Sequence, residues 1–162
     1  MRSLLMFAAG MIAGVLLMQP GAAQQATAER LTLNHVSLSV KNFDEAVNFY
    51  TKTMGFREAF TFREPDGKPS LTYLQISRDT FLELQPATAE RPAGMAHIGL
   101  ESTDVRATAK RLQQRGVKVP DPTVSQRSGA VLTTGSDGEG LRFELLEFGP
   151  ASVQRKAMNA WK

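Results

Sequence analysis

From His35 the chain alternates, with Val36, Leu38 and Val40 on one side and His35, Ser37 and Ser39 on the other. That period of two predicts a strand. The pattern returns at Met95-Ala96-His97-Ile98-Gly99-Leu100, where Ile98 and Leu100 oppose His97, Gly99 and Glu101. A histidine that only fills a core belongs among aliphatic residues, yet both of these fall on the face of polar and small residues. Each histidine strand is followed by a strand with one glutamate in an apolar run: Thr80-Phe81-Leu82-Glu83-Leu84-Gln85, then Leu141-Arg142-Phe143-Glu144-Leu145-Leu146. Alternation separates Glu83 from Leu82 and Leu84, and Glu144 from Phe143 and Leu145. His35 and His97 are 62 positions apart, and Glu83 and Glu144 almost the same distance. The chain therefore reads as a twofold internal repeat.

Between these strands the period changes. Phe43, Ala46, Val47, Tyr50 and Met54 recur at helical spacing, with Asn42 and Glu45 spaced as a capping box and Gly55 as the stop. Strands are predicted over 57–63 and 71–76, joined by the turn Glu64-Pro65-Asp66-Gly67-Lys68-Pro69. A polar linker bounded by Pro86 and Pro92 separates the halves. The second half repeats the order: a helix from about Asp104 with Val105, Ala109 and Leu112 buried, a stop at Gly116, a short strand Val117-Lys118-Val119, a loop over 120–129, a strand over 130–134, and the Glu144 strand. The fold class is α+β, two βαβββ halves.

The first segment differs in kind. Arg2 precedes an uncharged apolar run from Leu4 to Leu17, and Pro20-Gly21-Ala22-Ala23 supplies the small residues a signal peptidase accepts. The run is shorter than the roughly 20 residues that span a bilayer, which favours cleavage over an anchor. Residues 1–23 are therefore expected to be a signal peptide, 31–150 the domain and 151–162 a tail, in a periplasmic or secreted protein with no membrane attachment after cleavage. Met158 and Trp161 in the tail pack either on the domain or on a second subunit, so a homodimer is one expectation.

At 162 residues and 42% hydrophobic the chain is long enough for one domain with a core. The net charge of +3 is scattered without interleaved aromatics, which argues against a nucleic-acid partner. There is no cysteine, so disulfides and thiolate chemistry are excluded and a metal must be held by nitrogen and oxygen. His35, Glu83, His97 and Glu144 are the candidate ligands for a divalent ion such as Zn, Ni, Mn or Fe, with positions left open for a small-molecule substrate. Glu83 and Glu144 are also the candidate catalytic residues, moving a proton beside a chelated pair of oxygens. Glu101 and Arg142 face the same cup and could pair with each other. Glu147 lies on the opposite face and reads as a solvated or edge residue. Arg127, in the long loop, reads as a surface arginine, with an anionic group as the alternative partner.

The stretches Asn34-His35-Val36-Ser37-Leu38, Ala46-Val47-Asn48-Phe49-Tyr50 with Met54-Gly55-Phe56, Phe81-Leu82-Glu83-Leu84, Ala96-His97-Ile98-Gly99-Leu100 and Phe143-Glu144-Leu145-Leu146 resemble the vicinal oxygen chelate superfamily. That group includes glyoxalase I, methylmalonyl-CoA epimerase, extradiol dioxygenases and the fosfomycin- and bleomycin-resistance proteins. The resemblance implies paired βαβββ modules forming a cup-shaped mixed sheet, the glyoxalase-like fold, with ligand positions at His35, Glu83, His97 and Glu144. It departs from glyoxalase I at Ser39 and Ala87, where those enzymes carry an arginine and an asparagine that contact glutathione. The leading expectation is a metal-dependent lyase or isomerase. The alternatives are an Fe(II) dioxygenase using His35, His97 and Glu144, and a non-catalytic small-molecule binder of the resistance type.

Overall fold

A computed structural model of the chain describes residues 30–162, and the expected signal peptide lies outside them. Eight strands form one mixed sheet: β1 (Thr32–Val40), β2 (Arg57–Arg63), β3 (Pro69–Ser77), β4 (Thr80–Pro86), β5 (Gly94–Glu101), β6 (Thr123–Val124), β7 (Val131–Ser136) and β8 (Arg142–Glu147). Their order is β2-β3-β4-β1-β5-β8-β7-β6. β1 runs parallel to β4 and β5 parallel to β8, while β1 and β5 pair antiparallel at the centre. The two halves thus repeat each other about the β1·β5 seam, which is the paired βαβββ arrangement. Among the described residues no helix is long and apolar enough to cross a membrane.

Helices cover the back of the sheet where the aliphatic residues point. α1 (Phe43–Asn48) lays Phe43, Ala46 and Val47 on a cluster of Leu74, Leu82 and Leu84, with Tyr50 and Phe56 beside them. Full burial of a large apolar side chain contributes roughly 1.5–3 kcal/mol; these are partly buried, so each contributes less, and the stripe docks the helix by their sum. Two details differ from expectation. Asn42 makes no cap to the backbone and instead donates its amide to Glu45 Oε2 at 2.9 Å. The helix then widens into a π-helical segment, Phe49–Thr53, where Thr51 Oγ1 donates to the Val47 carbonyl at 2.7 Å and competes for the acceptor an α-turn uses. The wider turn carries Met54 off the stripe, leaving it 52% exposed.

In the second half α2 (Val105–Gln114) is capped by Asp104, which accepts from the Ala107 amide at 2.9 Å. Glu147 also serves this end, accepting from the Val105 amide at 3.0 Å, so it is neither a solvated residue nor a ligand. Val105 and Ala109 are buried as expected, and Gly116 closes the helix at a φ of 85°. The expected strand at 117–119 does not form. Val117 donates back to the Leu112 carbonyl, and the Val119 carbonyl accepts from the Gln113 side chain, so their backbone groups are used before any ladder is reached. The pairing moves instead to β6, in the expected loop.

The tail forms α3 (Val153–Asn159), with Ser152 as its N-cap. Ala157 and Met158 pack on Tyr73, Phe81, Leu146 and Phe148 of the same chain. The helix therefore closes one end of the concave face, and Arg57 lies over the Trp161 ring beyond it.

Candidate metal centre

Two rows of side chains cross the concave face, set by strand register. One runs Tyr73, Glu83, Ser37, His97 across β3, β4, β1 and β5. The other runs Thr134, Glu144, Gly99, His35 across β7, β8, β5 and β1. Under the twofold of the sheet each residue in one row matches the residue in the same place in the other. The four expected ligand residues are the glutamate and the histidine of each row, and all four converge. His35 Nε2 lies 3.1 Å from His97 Nε2, and 3.8 Å from both Glu83 Oε2 and Glu144 Oε2. His97 Nε2 is 3.7 Å from Glu83 Oε1 and from Glu144 Oε2.

The environment fits a cation. His35 is wholly buried and His97 and Glu83 nearly so. Burial lowers the pKa of His35 to about 4, Glu83 partly offsetting it, and burial lowers that of His97 also. Both rings are therefore neutral ligands near neutral pH. Asn34 donates its amide to the Asp79 carbonyl and turns its oxygen to His35 Nδ1 at 3.1 Å, so His35 carries its proton there and aims the Nε2 lone pair at the centre. His97 Nδ1 is buried without a partner. Two bases and two acids thus face one point. His35, Glu83 and His97 each offer an atom within 4.8 Å of the others, the nitrogen and oxygen donor set that divalent transition metals accept.

The match between the halves breaks around the glutamates. Ser37 Oγ donates to Glu83 Oε1 at 2.6 Å, with Gln85 Nε2 donating to Ser37 at 3.1 Å, and Tyr73 faces Glu83 from the neighbouring strand. At the matching places beside Glu144 stand Gly99 and Thr134, and Glu144 has no side-chain hydrogen bond among the described residues. Glu144 is also more open, at 18% side-chain exposure against 5% for Glu83. Burial, then the Glu83 charge, raise its pKa to about 7, with Arg142 opposing. Glu83 is a fixed acceptor and Glu144 a free one.

Gly99 is small for a reason: a β-carbon there would lie inside the His35 ring. Gly99→Ala is expected to push that ring from the centre, costing about 1–3 kcal/mol of stability as overpacking and lowering metal retention with it. Equilibrium unfolding and metal analysis of the purified variant check this.

The shifts also set a pH signature for metal-free protein. His35, with a folded pKa of about 4 below its ordinary 6.5, binds its proton in the unfolded chain first, so its contribution to stability is lost as pH falls from 6.5 to 4. Glu144, at about 7 against an ordinary 4.5, holds its proton better when folded, so its contribution is present below 4.5 and lost as pH rises to 7. The two oppose each other across the shared window. Glu144→Gln removes the second, so the stability of the variant relative to wild type is expected to climb between pH 4.5 and 7, at no more than about 1.4 kcal/mol per pH unit. Denaturant unfolding of both proteins across that range reads the difference.

A cavity of about 410 Å³ opens over the centre, with Tyr73, Glu83, His97 and Glu144 in its floor. Glu101 does not pair with Arg142 as the alternation allowed. It binds Arg155 of α3 at 2.7 Å, leaving Arg142 on the cavity wall. Tyr73 and Asn34 escaped the sequence reading although alternation marks Tyr73, two residues from Leu71 and Gln75. Gln154 reaches the cavity from α3 and had no signal at all.

Residues 32–145 match the family described as the Glyoxalase/Bleomycin resistance protein/Dioxygenase superfamily. Among solved structures, a hypothetical protein of Bacillus halodurans C-125 is 18% identical over 75% of this chain and 96% of its own, with a TM-score of 0.62. Methylmalonyl-CoA epimerase of Streptomyces coelicolor, in complex with 2-nitronate-propionyl-CoA, is 25% identical over 76% of this chain and 99% of its own, with a TM-score of 0.63. The epimerase of Mycobacterium tuberculosis is 20% identical over 73% and 88%, with a TM-score of 0.61. With the matched region covering most of the strands and all four converging residues, the chain belongs to the glyoxalase/bleomycin resistance/dioxygenase superfamily.

Proposed function

We propose that this is an exported, metal-dependent lyase or isomerase that moves a proton on a small substrate with two adjacent oxygens. The observation that carries the reading is the unequal pair of carboxylates: Glu83 is held by the Ser37 hydroxyl, while Glu144 faces the cavity without a hydrogen-bonded partner. His35, His97, Glu83 and Glu144 would hold the ion. When bound it supplies Lewis-acid stabilisation of negative charge on a chelated substrate oxygen. Glu144 takes the proton from the adjacent carbon and returns it, since it faces the cavity without a hydrogen-bonded partner and has room to shift. Glu83 keeps its orientation through the exchange. The likeness to methylmalonyl-CoA epimerases supports a proton-transfer class.

The test is to incubate metal-loaded protein with small α-hydroxyketones and catechols in deuterated water. Deuterium entering the substrate without oxygen uptake supports the reading. Oxygen uptake without exchange replaces it by the Fe(II) dioxygenase. Export rests on the apolar run and small residues of the first segment. The mature protein is expected to begin near Gln24, and N-terminal sequencing of protein from its native host reads that, with intact Met1 in the membrane fraction as the contrary result.

A further inference from the structure

The wall of the cavity carries more positive charge than a neutral substrate needs. Arg91, Arg127 and Arg142 line it against one outer carboxylate, Glu64, once Glu83 and Glu144 are turned to the metal. Arg142 stands two residues before Glu144 on β8 and so shares its face, close to the centre. Arg91 and Arg127 come from loops, the first from the linker between the halves and the second from the segment before β7. Both are held in place, Arg127 from an exposed position. Arg127 lies 4.9 Å over the Phe62 ring and donates to Ser70 Oγ at 2.5 Å, and both of those residues also line the cavity. Arg91 is anchored by an Nη2 bond to the Pro86 carbonyl at 2.8 Å, yet its Nε is buried and has no acceptor. A buried donor without a partner is costly and uncommon. A guanidinium anchored to the wall through one nitrogen offers its outward N–H groups in the planar fork that suits a two-oxygen anion.

We infer that the substrate carries a carboxylate remote from its two metal-directed oxygens, and that Arg91 and Arg127 bind that carboxylate at the cavity rim. This rests on the metal-site reading for the orientation of the substrate but not for the anion contact itself. Gln154 adds a second constraint. It lines the cavity with its Oε1 buried and without a partner, so a hydroxyl donor on the substrate would meet an acceptor there.

The probes are 3,4-dihydroxybenzoate and its neutral isostere 3,4-dihydroxybenzamide, which share a chelating head and differ in the remote anion. Titration calorimetry on Zn(II)-loaded protein is expected to show the acid binding at least about tenfold more tightly than the amide, with the preference shrinking as ionic strength rises. The double variant Arg91→Gln, Arg127→Gln is expected to bring the ratio close to one. Equal affinity for acid and amide in the wild type, binding of neither, or an undiminished preference in the double variant overturns the proposal. Should the variant fail to fold, the wild-type ratio and its salt dependence still decide. Repeating the titration on metal-stripped protein separates the two readings: a preference for the acid that survives stripping upholds the anion subsite even if metal proves irrelevant. Equal, metal-dependent binding of both compounds upholds the metal and removes the subsite.

Discussion

Replacement of both His35 and His97 by alanine is expected to abolish retention of a divalent ion, and either change alone to weaken it severely. Loss of an outer-shell partner of a metal ligand typically costs about 10–100-fold in affinity, so loss of a ligand itself is expected to exceed about 100-fold. The two nitrogens face each other across 3.1 Å with carboxylate oxygens 3.7–3.8 Å from both, and no other described group replaces them. Elemental analysis after dialysis against a competing chelator measures the result. His35 is fully buried, so its alanine variant also leaves a cavity in the sheet, and circular dichroism must show it folded before the metal result is read. His97, nearer the cavity, gives the cleaner single variant. A double variant that holds its ion under chelator would show that the site lies elsewhere.

The second large effect concerns the two carboxylates, and it sets them apart. Glu144→Gln keeps shape and an oxygen for the ion while removing the base, so turnover is expected to fall by about 10²–10⁴-fold with metal content near wild type. Glu83→Gln is expected to behave differently. Ser37 donates to this carboxylate, itself held by Gln85, and an amide nitrogen in its place would meet a donor instead of an acceptor. Its main result is therefore impaired metal retention, with turnover falling in step. An oxygenase with His35, His97 and Glu144 as ligands would instead retain oxygen uptake in Glu83→Gln and lose it in Glu144→Gln. Should Glu144→Gln turn over at the wild-type rate, the proton is carried by another group.

Period and repetition made the fold and the four converging residues legible because both reside in backbone direction. On a strand, alternation fixes which side chains share a face, and the near-equal separations of His35 from His97 and Glu83 from Glu144 fix which strands are equivalent. What decides between the glutamates is not carried by either residue. It is carried by their neighbours across the sheet, Ser37 against Gly99 and Tyr73 against Thr134, and those pairings depend on register. The failed strand at 117–119 and the exposed Met54 have a related origin: Gln113 and Thr51 take backbone carbonyls with their side chains, a competition that hydrophobic patterning does not register. Gln154 and Arg155 lay beyond reach because they act only once α3 folds back on the sheet.

The β1·β5 pairing places one histidine and one glutamate on either side of a line between two similar halves. Neither half alone owns more than half of the ligand set, so an ion bound to all four residues binds the closed seam and not the separated parts. Its affinity is then also a cohesion between the halves. By mass action, free ion at a hundred times its dissociation constant adds about 2.7 kcal/mol to the closed state, a substantial share of the 5–15 kcal/mol typical of a whole domain. On that reading, loading of the ion and final consolidation of the structure become a single event.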